Sequence, residues 1–500
     1  MANLKEVEQE LNKPDIGVGL EGLSDWSRAK MFADAMKTSR AWGNAERPWV
    51  HEVATDALGW PTEDAGVIVI ADTPNIGGDY RLEFEGRADV RGHSQIKIEA
   101  LQHDAATNAS TAVVRVPTDA TQIFLSFTGT NGGVKNVRLW RQGSDGESTF
   151  NVAFLEKVAP FSTLRFMDFL STNNSPIKQW SDRTTPEYSS QARTQGGALE
   201  YVVELANVSG KDIWVNIPDQ ADDDYARQMA TLLRNGLTKN QKVYVEWSNE
   251  VWNWQFQQAT RNLDAAKIEG KKANSILAFD KDTNEGYWAM RRIAQRSVEI
   301  GQIFREVFED ENFERVRPVY ATQVGYEEVY KQGLSFLKNQ YQQPNKVIYG
   351  IAGAPYFQVS DELNQKKDLT TDEIFAAIPE NMEKNLEFAR TLATYAKLHK
   401  LRLLAYEGGQ HLQDHGDVGN AEAKIAANRD PRMGQEIEKY LRKWNALGGD
   451  LFMYFTLSSG YSKWGSWGLV EDIEKSNAKY DAVLRVLGAP VGEVVRPDED

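Results

Sequence analysis

Short runs of β-branched and aromatic residues alternate with longer segments of helical periodicity over most of the chain. The runs indicate buried strands, and apolar residues spaced three or four positions apart indicate amphipathic helices. Eight strands are predicted in this rhythm: Asp15–Leu20, Thr163–Asp168, Asp212–Ile217, Lys242–Trp247, Arg315–Ala321, Lys346–Ile351, Leu401–Tyr406 and Asp450–Thr456. The helices predicted after them are Ser27–Lys37, Leu199–Asn207, Asp222–Asn235, Tyr287–Phe308, Tyr326–Tyr341, Thr371–His399, Met433–Ala446 and Ser476–Leu487.

Eight strand–helix pairs are the number that a (β/α)8 barrel requires, and we predict this α/β fold for residues 12–59 and 142–490. A doubly wound open sheet is the competing fold, and it normally carries a glycine-rich phosphate turn after its first strand. The glycines Gly17, Gly19 and Gly22 have the right spacing, but they lie within and just after the strand, and no acidic partner follows. We therefore expect no dinucleotide site there.

Residues 60–141 break the alternation of strands and helices. Their short alternating runs predict the strands Val67–Ile70, Tyr80–Phe84, Gln95–Ala100, Ala112–Val116, Gln122–Thr128 and Val134–Trp140. Turn residues separate these runs and no helical pattern intervenes, which is typical of an antiparallel β-sandwich. We predict a sandwich inserted between barrel strands 1 and 2, serving either as a carbohydrate-binding module or as a scaffold.

Composition excludes several classes of function. The 500 residues carry a net charge of −15 without a cluster of basic and aromatic residues, which disfavours nucleic acids and membrane surfaces as partners. The chain has no cysteine and only six histidines, so neither a metal nor another cofactor is expected. No apolar run approaches the ~18 residues of a membrane span. The first residues lack signal-peptide features; we expect a secreted or periplasmic protein whose signal has been removed, with a cytoplasmic one as the alternative.

Two strands end on carboxylates beside aromatic residues. Asn249 and Glu250 follow the fourth predicted strand, and Glu407 ends the seventh. Because the carboxyl ends of barrel strands open on one face, residues that are distant in sequence converge there. Opposed carboxylates are the apparatus of glycoside hydrolysis, in which one protonates the leaving oxygen and the other attacks or activates water.

These residues resemble the pattern of the retaining (β/α)8 glycoside hydrolases of clan GH-A, also called the 4/7 superfamily. The resemblance implies that Glu250 is the general acid/base and Glu407 the nucleophile. It further implies an arginine on the second strand, an aromatic residue after the sixth and a tryptophan after the eighth, which are matched by Arg165, Tyr356 and either Trp464 or Trp467. The subfamily is not identified, and the chain also resembles bacterial proteins described as cellulose-binding.

Each implied residue has a chemical task. Asn249 would bond the sugar 2-hydroxyl, Arg165 and Tyr356 would hold Glu407 ionised, and Trp464 or Trp467 would form the floor under the attacked sugar. Retaining chemistry predicts carboxyl groups about 5–5.5 Å apart, whereas inverting enzymes hold them about 6.5–9.5 Å apart. Weaker candidates for the same cleft are Glu21, Trp26, Asp168, Asp219, Gln220, Trp252, Trp254, His411 and His415.

The predicted partner is a β-linked polysaccharide or oligosaccharide, and the aromatic residues near the strand ends favour a polysaccharide. A β-glucan is the first expectation, and mannan or xylan would fit the same residues. A non-catalytic carbohydrate-binding barrel is the alternative from another functional class. The mode of cleavage, endo or exo, and the oligomeric state stay open.

Overall fold

A computed structural model describes residues 14–414 and 417–491 of the chain. The described residues form two compact units. The first comprises residues 14–20, 158–182, 206–414 and 417–491, and the second comprises residues 21–157 and 183–205. In this part of the chain, no helix combines the length and apolar character that crossing a membrane requires.

The first unit is built around a closed barrel of eight parallel strands, which confirms the predicted fold class. We call them barrel strands 1 to 8: Asp15–Gly19, Thr163–Arg165, Asp212–Ile217, Val243–Trp247, Val316–Ala321, Gly350–Gly353, Arg402–Ala405 and Gly449–Tyr454. Consecutive strands pair in parallel, and strand 8 closes on strand 1 with Tyr454 opposite Val18. The carboxyl ends of all eight strands therefore share one face of the barrel.

Helices connect the barrel strands. The α-helices of the described residues are Val152–Val158, Leu199–Ser209, Asp223–Gly236, Gln257–Gly270, Glu285–Phe308, Glu327–Gln340, Pro344–Val347, Asp361–Asn364, Thr371–Leu398, Ala421–Arg429, Pro431–Ala446 and Ala478–Leu487. Local side chains set their ends: Thr370 and Glu373 form a capping box at the start of the longest helix. The helix Gln257–Gly270 was not predicted, and it directly follows the segment that carries Glu250.

The predicted helix Ser27–Lys37 is wrong. The segment contains only a short 3-10 turn, Ala35–Thr38. The backbone N–H groups of Arg28 and Ala29 donate hydrogen bonds to the Glu21 carboxylate instead of to helical carbonyl groups. Lys30 also has a φ of 42°, which interrupts a right-handed helix. The apolar spacing that suggested a helix serves instead to bury side chains of an irregular loop.

The predicted start of the sixth barrel strand is also wrong. Residues Pro344–Val347 form a short helix, and the strand begins at Gly350. Proline suits the first position of a helix, since its missing N–H is not needed there and its φ is already helical. The apolar run therefore divides between a helical turn and a strand.

The second unit contains two four-stranded antiparallel sheets. One has the strand order Gly43–Asn44, Ala65–Ile70, Ile123–Thr128, Asp89–Gly92, and the other Lys97–Asp104, Ala109–Val116, Gly78–Glu85, Lys135–Trp140. Apolar residues of both sheets, such as Val67 and Leu82, share one buried cluster, as a sandwich requires. The strands Gly43–Asn44 and Asp89–Gly92 were not predicted. The cluster also includes Trp42, so this unit extends beyond residues 60–141.

Candidate active site

The backbone after barrel strand 4 places Glu250 in an unusual conformation. The strand Val243–Trp247 is buried throughout and paired with strands 3 and 5. Ser248 and Glu250 then adopt left-handed φ values of 56° and 41°. Such values cost roughly 1–3 kcal/mol for a non-glycine residue and cluster at functional sites. The geometry therefore supports a functional role for the Asn249–Glu250 pair.

Arg165 ends barrel strand 2 and contacts residues on strand 4 and just after strands 4 and 7. Only 2% of its side chain is exposed. Its Nη1 donates to Oε2 of Glu407 at 2.9 Å, and its Nη2 donates to Oδ1 of Asn249 at 2.9 Å. A third bond, from Nη2 to Oε2 of Glu246, measures 3.1 Å. The structure thus brings the three predicted residues Arg165, Asn249 and Glu407 into direct contact.

The Glu407 carboxyl is held in an environment that opposes ionisation. Burial and the nearby Glu250 carboxylate raise its pKa to about 8, although the Arg165 guanidinium acts in the opposite direction. At neutral pH the site therefore retains a proton. The contact with Arg165 favours the ionised form of Glu407 and limits this increase.

Glu250 and Asn249 are oriented by further hydrogen bonds. The Tyr406 hydroxyl donates to Oε1 of Glu250 at 3.0 Å, and Nδ2 of Asn253 donates to Oε2 at 2.8 Å. Nδ2 of Asn249 donates to Oδ1 of Asn173 at 3.1 Å. That amide nitrogen carries two hydrogens, so one can donate to a substrate hydroxyl while the other holds Asn173.

Glu246 is a member of the site that sequence reasoning missed. It lies within barrel strand 4, only 1% of its side chain is exposed, and its Oε2 accepts bonds from Arg165 and from Nε1 of Trp214 at 2.8 Å. Burial raises its pKa, and Arg165 opposes the increase. A carboxylate inside a five-residue buried run was the available signal, because such a group requires a buried partner.

Aromatic residues surround the Glu407 side of the site. Burial and the nearby Glu407 carboxylate raise the pKa of the Tyr356 hydroxyl well above its ordinary value. The Trp467 ring lies 5.7 Å from the Tyr356 ring and stacks on His411 at 4.9 Å, measured between centroids. Trp464 is 72% exposed, and its backbone carbonyl accepts a bond from Nε1 of Trp467. Of the two tryptophans, Trp467 is therefore the one whose ring packs against these site residues.

Two of the weaker acidic candidates have shifted pKa values. Asp168 lies near Glu407, and burial raises its pKa to about 6 while Arg165 opposes the increase. Glu21 belongs to the second unit, where its carboxylate accepts bonds from Ser27 and from two backbone N–H groups. Burial raises the pKa of Glu21 to about 7 despite these bonds.

The other candidates occupy varied positions. Asp219 forms a two-bond ion pair with Arg261, and Gln220 donates to the backbone carbonyl of Ser175. Trp26 lies in the second unit and is 57% exposed. Nδ1 of His411 lies 2.9 Å from Oε1 of Gln358. The remaining candidates are Trp252 and Trp254, which line a cavity beside Glu250, and His415, which lies outside the described residues.

Within residues 14–414 and 417–491, no group of three or more His, Asp or Glu side chains is arranged to hold a metal ion. The side chains described at the strand ends supply two carboxyl groups, a guanidinium, an amide and phenolic hydroxyls.

No protein-family model matches this sequence, and a search of curated proteins finds no match. Similar solved structures include a 4-O-α-L-rhamnosyl-β-D-glucuronidase from Fusarium oxysporum, with 10% identity, a TM-score of 0.40, and coverage of 67% of this chain and 63% of that chain. An endo-1,4-β-xylanase from Penicillium canescens has 12% identity, a TM-score of 0.36, and coverage of 70% and 92%. A GH51 arabinofuranosidase from Xanthomonas axonopodis pv. citri has 10% identity, a TM-score of 0.40, and coverage of 68% and 67%. This chain thus spans less than two thirds of the glucuronidase, and similarity at these TM-scores adds no argument about the reaction.

Proposed function

We propose that the barrel unit is a retaining β-glycoside hydrolase that acts by double displacement. The observation that carries the proposal is the contact between Arg165 and Glu407, at the ends of strands 2 and 7, together with the Glu250 carboxylate, which raises the pKa of Glu407. Retaining chemistry predicts that the two carboxyl groups lie about 5–5.5 Å apart.

The site residues divide the reaction between them. Glu407 attacks the anomeric carbon to form a glycosyl-enzyme, while Glu250 gives its proton to the departing oxygen. Glu250 then removes a proton from water, the resulting hydroxide attacks the anomeric carbon, and the Glu407 carboxylate is released. Arg165 and the Tyr356 hydroxyl stabilise the charge that returns to Glu407. Asn249 donates to the sugar 2-hydroxyl.

The proton that the first step needs is present at neutral pH. The raised pKa of Glu407, about 8, means that the site retains a proton there. Arg165 contacts Glu407 at 2.9 Å and favours the ionised form of that carboxyl, which is the form that attacks. Environment thus separates the roles of two chemically identical side chains.

The substrate of this proposal is a β-linked glycoside, with β-glucan as the first polysaccharide to test and mannan or xylan as alternatives. A non-catalytic carbohydrate-binding barrel is the second candidate. The intact set of Glu250, Glu407 and Arg165 favours the enzyme, because carbohydrate binding alone does not require a buried carboxyl group whose pKa is raised by a second carboxylate.

The test begins with turnover of defined β-glucans, mannans, xylans and aryl β-glycosides, with the anomer of the first product followed by NMR. Retention of the β configuration is expected, and an α product would refute the proposed mechanism. A 2-deoxy-2-fluoro glycoside should label Glu407, as detected by peptide mass spectrometry. Glu407→Gln should abolish turnover, whereas the exposed Glu380→Gln should not. Unchanged turnover in Glu407→Gln would reject Glu407 as the nucleophile, and binding without turnover in the wild type would leave the binding barrel as the better explanation.

A further inference from the structure

A large cavity lies on one side of the carboxyl pair. Its volume is about 1030 Å3, and Glu250, Tyr356 and Tyr406 line the end nearest the proposed reaction centre. From there it extends between the helices Gln257–Gly270 and Glu285–Phe308 and the loop after barrel strand 5. The volume is at the upper end of the roughly 300–1,000 Å3 that pockets for small molecules occupy.

The position of this cavity relative to the two carboxyl groups identifies which part of a substrate it would hold. Glu250 lines the cavity, whereas Glu407 and Arg165 do not. In double displacement the attacked sugar sits over the nucleophile, and the acid/base carboxyl faces the oxygen of the leaving group. A cavity on the Glu250 side therefore receives the leaving group.

The inner wall of the cavity is apolar. It is formed by Ala259, Leu263, Ala289, Met290, Ile293 and Val329. The aromatic side chains Trp254 and Tyr326 are 68% and 50% exposed and contribute to the lining as well. Large exposed aromatic groups beside a cavity are typical of a binding site for apolar surface.

Two polar side chains beside the apolar wall, Asn262 and Lys267, are engaged with other residues of the protein. Nδ2 of Asn262 donates to the backbone carbonyl of Ala289, and its Oδ1 accepts from Arg292, each at 3.1 Å. Lys267 lies between Asp264 and Glu285, within 4.0 Å of both carboxylates. Sugar hydroxyls buried against the apolar wall would lack partners, at a cost of about 1–3 kcal/mol each. An apolar group would bury there without this cost.

We propose that this cavity binds the leaving group of the substrate and that the leaving group has an apolar body, such as an aromatic aglycone of more than one ring. The inference rests on the proposed function for the assignment of Glu250 as acid/base. It makes the preferred substrate a β-glycoside of an apolar alcohol or phenol, and a further sugar becomes the poorer leaving group.

The test compares leaving groups attached to one sugar. The sugar is chosen from a panel of 2-naphthyl β-glycosides, and kinetics are then measured with its naphthyl glycoside and with the disaccharide in which the same sugar replaces naphthol. Ala289→Phe fills the cavity, and Met290→Gln keeps the volume but makes the wall polar. Gln302→Phe is the matched control, because Gln302 is exposed on the same helix and does not line the cavity.

Ala289→Phe should raise KM for the naphthyl glycoside by about tenfold or more, the effect of losing burial of one ring, and leave KM for the disaccharide within about twofold. Met290→Gln should also raise KM for the naphthyl glycoside more than KM for the disaccharide. It serves as the test variant if Ala289→Phe fails to fold. Equal effects on both substrates, or a wild-type preference for the disaccharide, would overturn the inference while leaving the proposed hydrolase intact.

If no glycoside is turned over, the proposed function fails, and binding of free 2-naphthol then tests the cavity separately. Fluorescence titration should show binding by the wild type and by Gln302→Phe, with loss in Ala289→Phe. Absence of binding by the wild type, or equal binding by Ala289→Phe, would reject the apolar site itself.

Discussion

Replacing Glu407 with glutamine should stabilise the folded protein at neutral pH while it abolishes the proposed activity. The substitution keeps the size and shape of the side chain but removes its titration. Burial and the Glu250 carboxylate raise the pKa of Glu407 from 4.5 to about 8, so the folded protein holds a proton that the unfolded chain releases. Folding therefore becomes less favourable as the pH rises from 4.5 to 8.

The magnitude follows from the displacement of the pKa. Each pH unit over this interval corresponds to about 1.36 kcal/mol, so by pH 7 the wild type has lost about 3 kcal/mol of unfolding free energy relative to pH 4.5. The sign is that of a group whose folded-state pKa is raised: its stabilising contribution is complete below pH 4.5 and is lost as the pH approaches 8. Glu407→Gln has no titrating group at this position, so its unfolding free energy does not fall for this reason between pH 4.5 and 8.

Loss of the contact between Arg165 and Glu407 would lower the stability of the Glu407→Gln variant. Breaking a buried ion pair costs about 3–5 kcal/mol when it leaves a charge without a partner. Arg165 keeps its bonds to Glu246 at 3.1 Å and to Asn249 at 2.9 Å, so its charge stays paired in the variant. The penalty is therefore smaller than for an isolated pair, and the net effect at pH 7 is stabilising.

Thermal unfolding midpoints of the wild type, Glu407→Gln and the control Glu380→Gln, measured from pH 4.5 to 8, provide the assay. The difference between Glu407→Gln and the wild type should be near zero at pH 4.5 and grow to several degrees by pH 8. Glu380→Gln should show no such growth. A difference that is independent of pH, or a Glu407→Gln variant less stable than the wild type at pH 8, would refute the reasoning.

Three other substitutions test the surroundings of the carboxyl pair. Glu246→Gln removes a negative charge that raises the pKa of Glu407. The limb of the pH profile of kcat/KM that reports ionisation of Glu407 should therefore move to lower pH, and an unchanged limb would contradict this. Tyr406→Phe removes the 3.0 Å bond to Glu250 and should lower kcat about tenfold, measured under saturating substrate. Trp467→Ala should lower kcat/KM about tenfold or more, with Trp464→Ala within about twofold; a larger effect of Trp464→Ala would exchange their roles.

Sequence periodicity predicted the barrel because the information it needs is local. Barrel strand 4, Val243–Trp247, reads as a buried strand from its β-branched and aromatic residues, and its ordinal position follows from counting. The order of the strands then placed Glu250 and Glu407 on one face. The helix Ser27–Lys37 failed because its spacing of apolar residues does not report that the Glu21 carboxylate binds the backbone N–H groups there. Whether a carboxylate binds the backbone N–H groups of a segment depends on tertiary structure, which the spacing of apolar residues does not contain.

Glu246 is a site residue whose partner could not be predicted from the sequence. Alternation along a strand indicates which residues face the barrel interior, but not which cation reaches a buried carboxylate from another strand. That partner is Arg165, 81 positions away in the sequence, and only the closed barrel brings the two side chains to 3.1 Å. The cavity beside Glu250 was hidden for the same reason, since its wall comes from a helix that was not predicted and from the loop after strand 5.

The charge balance around Arg165 connects these observations. One guanidinium faces the carboxyl groups of Glu246, Glu407 and Asp168, with Glu250 close enough to raise the pKa of Glu407 further. A single cation cannot neutralise all of them, so the cluster keeps protons at neutral pH and lowers the stability of the fold. A cluster that served only the stability of the fold would lack at least one of these carboxyl groups, since replacing buried charges with neutral groups of equal shape is often stabilising. Its presence is explained if the retained proton is used, because the first step of glycoside cleavage consumes a proton that the site must supply.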